Sequence, residues 1–316
     1  MGEYVARRIV GLIPSVLLLL FLVVIMIQLI PGNVIDLMLQ EKAANDTASR
    51  AVLERELGLD QPLPMQYVRY VGNVLRGDLG HSLWTKQSVG TLIAGRAMAT
   101  AEVGVLSILI GSLAGITIGA VSAVKQDSSL DYALRSIAIL GISVPNFAIA
   151  TALVIFPALW WGISPSLRYV SFFEDPVAHL EIVILPSVVL ALGLAATLMR
   201  LTRTTMLDVL RQDYIRTAQA KGVSDLRVML RHALKNAMIP VVTLLGLQVA
   251  FLLGGSVIIE SVFAIPGVGR LLVSAISNRD YPVVQGVVVV IGLFVMIVNL
   301  LIDVSYAWLD PRIRFS

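Results

Sequence analysis

Few residues in this 316-residue chain have the type and spacing that catalysis or metal binding requires. Cysteine is absent, which excludes disulfides, thiolate metal sites and cysteine nucleophiles. The three histidines, His81, His179 and His232, lie far apart and form no HxxxH or HExxH pattern, so a metal centre is not expected. Paired carboxylates and a serine–histidine set are also missing, which argues against an embedded enzyme. No glycine is followed by lysine, so the GxxxxGK[ST] phosphate loop is absent and the chain cannot itself be a P-loop ATPase. What remains is one dense basic stretch. Residues 199–238 hold Arg200, Arg203, Arg211, Arg216, Lys221, Arg227, Arg231 and Lys235 against Asp208, Asp213 and Asp225. The stretch is strongly positive, and the rest of the chain is slightly negative.

Within it, Gln212 to Lys221 reads as a short helix closed by Gly222, a residue suited to the left-handed position after a helix end. Ser224 is placed to cap a second helix. On that helix Val223, Leu226, Leu230, Ala233 and Ala237 recur at spacings of three and four and should share one apolar face. Arg227, Arg231 and Lys235 form a basic stripe on another face. Two readings fit. An interfacial helix would set these cations against lipid phosphates. A docking knob would present them to a protein partner. Spacing alone does not separate the two.

The elements that hold this stretch are membrane spans. Hydrophobic residues make up 57% of the chain and charged residues 14%, against about 25% charged in a soluble domain. A globule with so few charges would expose apolar patches far beyond what monomers tolerate. A bilayer core needs roughly 20 apolar residues per helix. Six segments qualify, near 9–30, 99–124, 133–160, 181–200, 237–260 and 284–308. The first is too long for a signal core and lacks a cleavage site, so it reads as an uncleaved anchor. Arg7 and Arg8, Lys125 and Arg135, the 199–238 stretch, and Arg312 and Arg314 alternate with poorer loops, which predicts both termini in the cytoplasm. The remaining long segment, 31–98, carries helical apolar spacing at 51–57 and at Met65, Val68, Val71 and Leu75. It is interrupted at 58–64 and at Gly77-Asp78-Leu79-Gly80. A helical cap outside the membrane is expected, either as a lid or as a partner surface. The division is therefore an anchor (1–30), this outer segment (31–98) and a five-helix core (99–316) with the basic loop at about 200–238.

Within the spans, Gly111, Gly115 and Gly119 repeat a GxxxG pattern that lets helices approach closely, with a neighbour in this chain favoured. Pro145 lies inside a span and predicts a kink or a break. Pro186 and Pro240 fall near span starts, where a missing N–H costs little. Polar residues in the spans are few, and no chain of intramembrane carboxylates or arginines serves an ion-driven carrier. Asn146, Gln248, Ser256 and Glu260 are the candidates for lining a path, although Gln248 could equally bond a neighbouring helix.

These residues resemble a known family. Arg216, Thr217, Ala218 and Gly222 fall on the docking-loop motif of permeases in bacterial ATP-binding-cassette importers. They match the Arg-Thr-Ala-x-Ala-Lys-Gly form of the dipeptide/oligopeptide/nickel branch. The chain is similar to that branch's B-type permease throughout, from Tyr4-Val5-Ala6-Arg7-Arg8 and Pro31-Gly32-Asn33, where the family has Asp for Asn33, through Leu57–Pro62 and Gly77–Gly80. The likeness continues through Arg231–Asn236, Ile239-Pro240, Gly254–Val257, Phe263, Pro266-Gly267 and Arg279–Pro282 to Leu309–Arg312. The resemblance implies an all-α membrane protein with six transmembrane helices and the type I importer permease fold, in the bacterial inner membrane. It implies no enzyme activity and no cofactor in this chain, with ATP and Mg²⁺ held by partner subunits. The implied partners are a second permease, usually a paralogue, two cytoplasmic ATPase subunits and an extracytoplasmic binding protein, besides membrane lipid and no nucleic acid. Arg216, Thr217, Ala218, Lys221, Gly222, Val223, Leu226 and Leu230 would dock the ATPase, and alternating access would move the cargo. Peptide is the expected cargo, with nickel chelates or oligosaccharides as the alternative. A channel or ion-coupled carrier is the alternative of a different class.

Overall fold

The computed structural model describes residues 2–29, 60–163 and 169–309. Its elements are helical: α1 (Gly2–Leu29), α2 (Leu63–Leu75), α3 (Val89–Val124), α4 (Ser129–Ser143), α5 (Asn146–Trp161), α6 (Pro176–Leu210), α7 (Asp213–Ala220), α8 (Asp225–Arg227), α9 (Lys235–Val262), α10 (Val268–Ser277) and α11 (Tyr281–Leu309). A π-helical stretch, Val228–Leu234, joins α8 to α9 without a break. By length and composition five helices can cross a membrane, and α4 with α5 supplies a sixth as one bent span. The helix expected at 51–57, Asn33 and the basic pair Arg312 and Arg314 lie outside the described residues.

Two compact units divide the chain. One takes the described residues up to Arg96 together with Leu271–Leu300. The other takes Ala97–Arg270 and the chain from Leu301 to the end of α11.

In the first unit, α2 lies against α1 and α11. Tyr67, Tyr70, Val71 and Val74 pack over buried Leu20, Val23 and Val289. The Tyr67 hydroxyl donates to the Leu17 carbonyl at 3.1 Å. The expected apolar face of α2 is thus corrected: Met65, Val68 and Leu75 are exposed, because the aromatic rings claim the inner face. Farther along, buried Asp280 accepts from the Ser82 hydroxyl at 2.5 Å and the Leu83 amide at 3.1 Å. The Trp84 indole donates to the Asn278 carbonyl at 2.8 Å. These bonds tie the turn after Gly80 to the start of α11.

In the second unit, α3 runs down α6 on a glycine track. A Cβ at Gly111 would lie 2.8 Å from Leu194. At Gly115 it would lie 2.7 Å from the Ala195 carbonyl, and at Gly119 2.7 Å from the Met199 carbonyl. The close neighbour is in this chain, as expected. Pro145 breaks its span: Val144 is extended (φ −91°, ψ 123°), as the residue before proline prefers, and α4 and α5 meet at 92°. The prolines expected near span starts sit deeper. Asp175 caps α6 by accepting from the Val177 and Ala178 amides, with Pro176 first in the helix, so α6 begins upstream and encloses Pro186. Pro240 is likewise inside α9, because the chain enters it already helical from Val228. The core joins Val103 of α3, Ala150 of α5, Val183 and Leu190 of α6, and Ile259 of α9.

Candidate functional site

The basic stretch folds as a compact knob on the ends of α3 and α6. α7 buries Ile215 against Ala120, Ala123 and Met206, with Ala218 at the edge of the same cluster. It stops where the sequence predicts. Gly222 is left-handed (φ +78°), its amide donates to the Gln219 carbonyl at 2.9 Å, and the Val223 amide donates to the Ala218 carbonyl at 3.2 Å. This is the paired C-terminal bond set of a Schellman motif, and the accompanying apolar pair is Ala218 with Val223.

The next helix departs from expectation twice. The Ser224 side chain makes no capping bond; its carbonyl instead accepts from the Arg227 and Val228 amides. Nor do Val223, Leu226, Leu230, Ala233 and Ala237 form the inner face. The π-helical turn inserts one residue, so Val228, Ala233 and Ala237, spaced by five and four, are the ones buried. Leu226 and Leu230 turn outward, 63% and 51% exposed, and Val223 is half-buried. Arg227, Arg231 and Lys235 are exposed beside them, as are Arg216, Thr217, Lys221 and Gly222 on the preceding turn. Asn236 closes the knob by donating to the Tyr214 hydroxyl at 2.8 Å. The exposed pair Arg216–Asp213, at 3.8 Å, adds little stability. The docking residues proposed from sequence are thus brought together on one knob, with two bare leucines between cations.

The candidates for a path have different surroundings. Asn146 is half-buried at the start of α5 and faces Gly193 of α6. Gln248 is half-buried on α9. Ser256 and Glu260 are buried and committed elsewhere. The Thr100 hydroxyl donates to Glu260 Oε1 at 2.8 Å, and the Arg270 amide donates to Oε2 at 3.0 Å. Ser256 and the Gly269 amide also bond the carboxylate. Thr100 in turn accepts from the Val268 amide at 2.8 Å, so Glu260 and Thr100 together hold the start of α10. A Cβ at Gly267 would run into both.

Sequence reasoning missed two further clusters. Asp131 is fully buried and accepts two bonds from Arg203, at 2.8 and 2.6 Å, and one from the Ser122 hydroxyl at 2.5 Å. Its one sequence signal is Ser128, three residues upstream in a capping-box spacing; the Ser128 hydroxyl does cap the helix, accepting from the Asp131 amide. In the same unit, the Tyr169 hydroxyl donates to Glu102, whose carboxylate lies 3.5 Å from His179 Nε2. Burial and the Glu102 carboxylate push the Tyr169 phenol pKa up.

This architecture coincides with known proteins. Residues 115–315 match the family model described as the binding-protein-dependent transport system inner membrane component. Residues 1–103 match its N-terminal companion. A Brucella suis biovar 1 protein provisionally named a peptide permease is 42% identical over the full length of both chains. The glutathione transport system permease protein GsiC of Salmonella paratyphi A is 41% identical, again over the full length of both. Among solved structures, an inward-facing MetNI methionine ABC transporter superposes with a TM-score of 0.56 at 17% identity, covering 69% of this chain and 96% of that one. An amino acid ABC transporter gives 0.54 at 14%, covering 68% and 92%. At such identity these last two speak for the fold, and the full-length relatives speak for the family. The chain belongs to the binding-protein-dependent transport system inner membrane components and is a multi-pass permease subunit of an ATP-binding-cassette importer.

Proposed function

We propose that this permease forms half of a translocation path for peptides, of the di-, oligopeptide or glutathione class. Its knob, Asp213 to Ala237, would be the seat of a cytoplasmic ATPase subunit. The observation that carries the docking reading is the outward pair Leu226 and Leu230, bare on a turn that otherwise displays charge, above a base fixed by Ile215, Val228 and Ala233. Exposed leucines on a rigid, polar-rimmed mount are what a protein groove takes up; a lipid surface would call for a broader apolar face. The peptide reading is supported by the names of full-length relatives at 40–42% identity.

In this reading both termini are cytoplasmic. A second permease completes the path, and a binding protein delivers cargo from the other side. ATP binding closes the ATPase pair, the knobs follow, and the spans shift as rigid bodies between outward and inward openings. ATP and Mg²⁺ act in the partner subunits, and this chain contributes geometry.

Uptake of a labelled dipeptide and of glutathione by cells lacking this chain tests the reading. Restored wild-type chain should return uptake of at least one. Gly222→Asp, which forces a side chain into the left-handed turn of the knob, should not return it. Undiminished peptide uptake without the chain would sink the cargo reading. Full uptake with Gly222→Asp would sink the docking reading.

A further inference from the structure

The knob is packed on α3 and α6, yet it is α4 that leads into the bent span. In the apolar cluster beneath the knob, α3 supplies Ala120 and Ala123 and α6 supplies Met206, Leu207, Val209 and Leu210; no α4 residue takes part. At this level α4 is joined to its neighbours by a polar cluster. Asp131, in the first turn of α4, receives the Arg203 guanidinium through Nε and Nη2 and the Ser122 hydroxyl from α3. The Asp127 amide adds a further bond at 3.1 Å. The Asp131 carboxylate is fully buried and the Arg203 side chain is 15% exposed. Arg203 stands one turn before Met206, so the bond lies directly against the knob's mount.

From this point α4 follows α6. Gly141 lies on Ala196, and the Pro145 break sets Asn146 against Gly193. From Arg203 to Gly193 is ten residues along α6, about 15 Å. One end of this lever is the ion pair, and the other is the 92° bend.

A two-point guanidinium–carboxylate bond fixes both distance and rotation, which apolar contact between helices does not. Apolar helix faces in lipid can slide at small cost, since the tails solvate either arrangement. A buried ion pair is a poor source of stability, so its place here calls for another role.

We propose that Asp131 and Arg203, with Ser122, are positioning residues of the transport cycle: a clamp that passes movement of the knob to the bent span α4–α5. This rests on the docking reading of the knob. When the ATPase subunits draw the knob, α3 and α6 move with it, and the clamp makes α4 move in register instead of slipping. Without the clamp the ATPase cycle runs while the bent span lags.

The test is made on the whole importer, reconstituted with its second permease, ATPase subunits and binding protein, reading peptide moved per ATP hydrolysed. Removing one partner strands a buried charge, so the leading variant is the apolar pair D131L/R203M, which removes both charges together. A second variant, R203K, keeps the charge and loses the fork. D131L/R203M should lower peptide per ATP roughly tenfold, within the 5–150-fold range usual for coupling between sites. R203K should fall between it and wild type. A purely structural role predicts less assembled importer with an unchanged ratio. An assembled D131L/R203M importer with the wild-type ratio overturns the clamp, and if that variant does not assemble, a wild-type ratio in R203K overturns it. The docking reading fails separately, if L226A/L230A keeps its ATPase subunits at wild-type affinity.

Discussion

Replacing Leu226 and Leu230 by alanine should cost the folded chain almost nothing and cost its complex a great deal. Each substitution removes three carbon groups, worth about 0.8 kcal/mol apiece when fully buried. Leu226 is 63% and Leu230 51% exposed in the free chain, so this fraction is what a partner can still bury. Scaling by exposure gives about 1.5 kcal/mol for Leu226 and about 1.2 for Leu230, or about 2.7 together if docking buries them completely. At 1.4 kcal/mol per decade that is about a hundredfold in affinity. Thermal unfolding of the permease should not move, because neither side chain supports the core. Val228, two residues from each, provides the contrast. It is 2% exposed, and Val228→Ala should destabilise the knob by about 1–2 kcal/mol through the cavity it leaves. The assay is titration of purified ATPase subunit onto the reconstituted permease, followed by fluorescence, beside unfolding curves for both variants. If L226A/L230A binds within threefold of wild type, the two leucines are not the contact and the argument from exposure is wrong.

Two further outcomes follow from the packing of the second unit. Gly115→Ala should destabilise by up to about 2 kcal/mol, since its methyl would sit roughly 1 Å inside normal contact with α6, whereas Gly104→Ala, whose methyl would meet nothing within 4 Å among the described residues outside its own helix backbone, should stabilise by about 0.5–1 kcal/mol through helix propensity; equal shifts in unfolding temperature would refute the glycine track. The raised Tyr169 pKa means that above the ordinary phenol value of 10.0 the unfolded chain releases a proton that the folded chain retains, so stability is whole below that pH and is lost as pH rises past it; Tyr169→Phe should flatten that alkaline loss in pH-dependent unfolding.

Much of this is legible in the sequence. Pro145 announced the broken span because a proline inside an apolar run removes a bond and bars helix from the residue before it. Gly222 announced the helix stop because few other residues accept a positive φ. The inner face of the knob was not open to reading. Spacings of three and four pointed inward at Leu226 and Leu230, and one π-helical insertion turned them out. That insertion seats Val228 and Ala233 on the ends of α3 and α6, contacts that no local pattern encodes. The polar clusters were hidden for a related reason. Arg203 stands 72 residues from Asp131, and Glu260 stands 160 from Thr100. Periodicity describes one element at a time, and these bonds join elements.

Glu260 and Leu226 show what such a reading can and cannot weigh. An acid in an apolar span attracts attention because burying a charge is costly. The sequence registers that cost and is silent on what offsets it. Around Glu260 the partners lie within the chain: Thr100, Ser256 and the amides at the start of α10 occupy the carboxylate, so the acid is spent on holding the chain's own fold. Leu226 is the reverse case. Its helical spacing alone points it into the core, yet it stands uncovered among arginines. A cost met inside the chain marks structure, and a cost left unmet marks a place for another protein. By that criterion the buried acid belongs to the scaffold, and the plain leucine is the residue on which the proposed docking reading stands or falls.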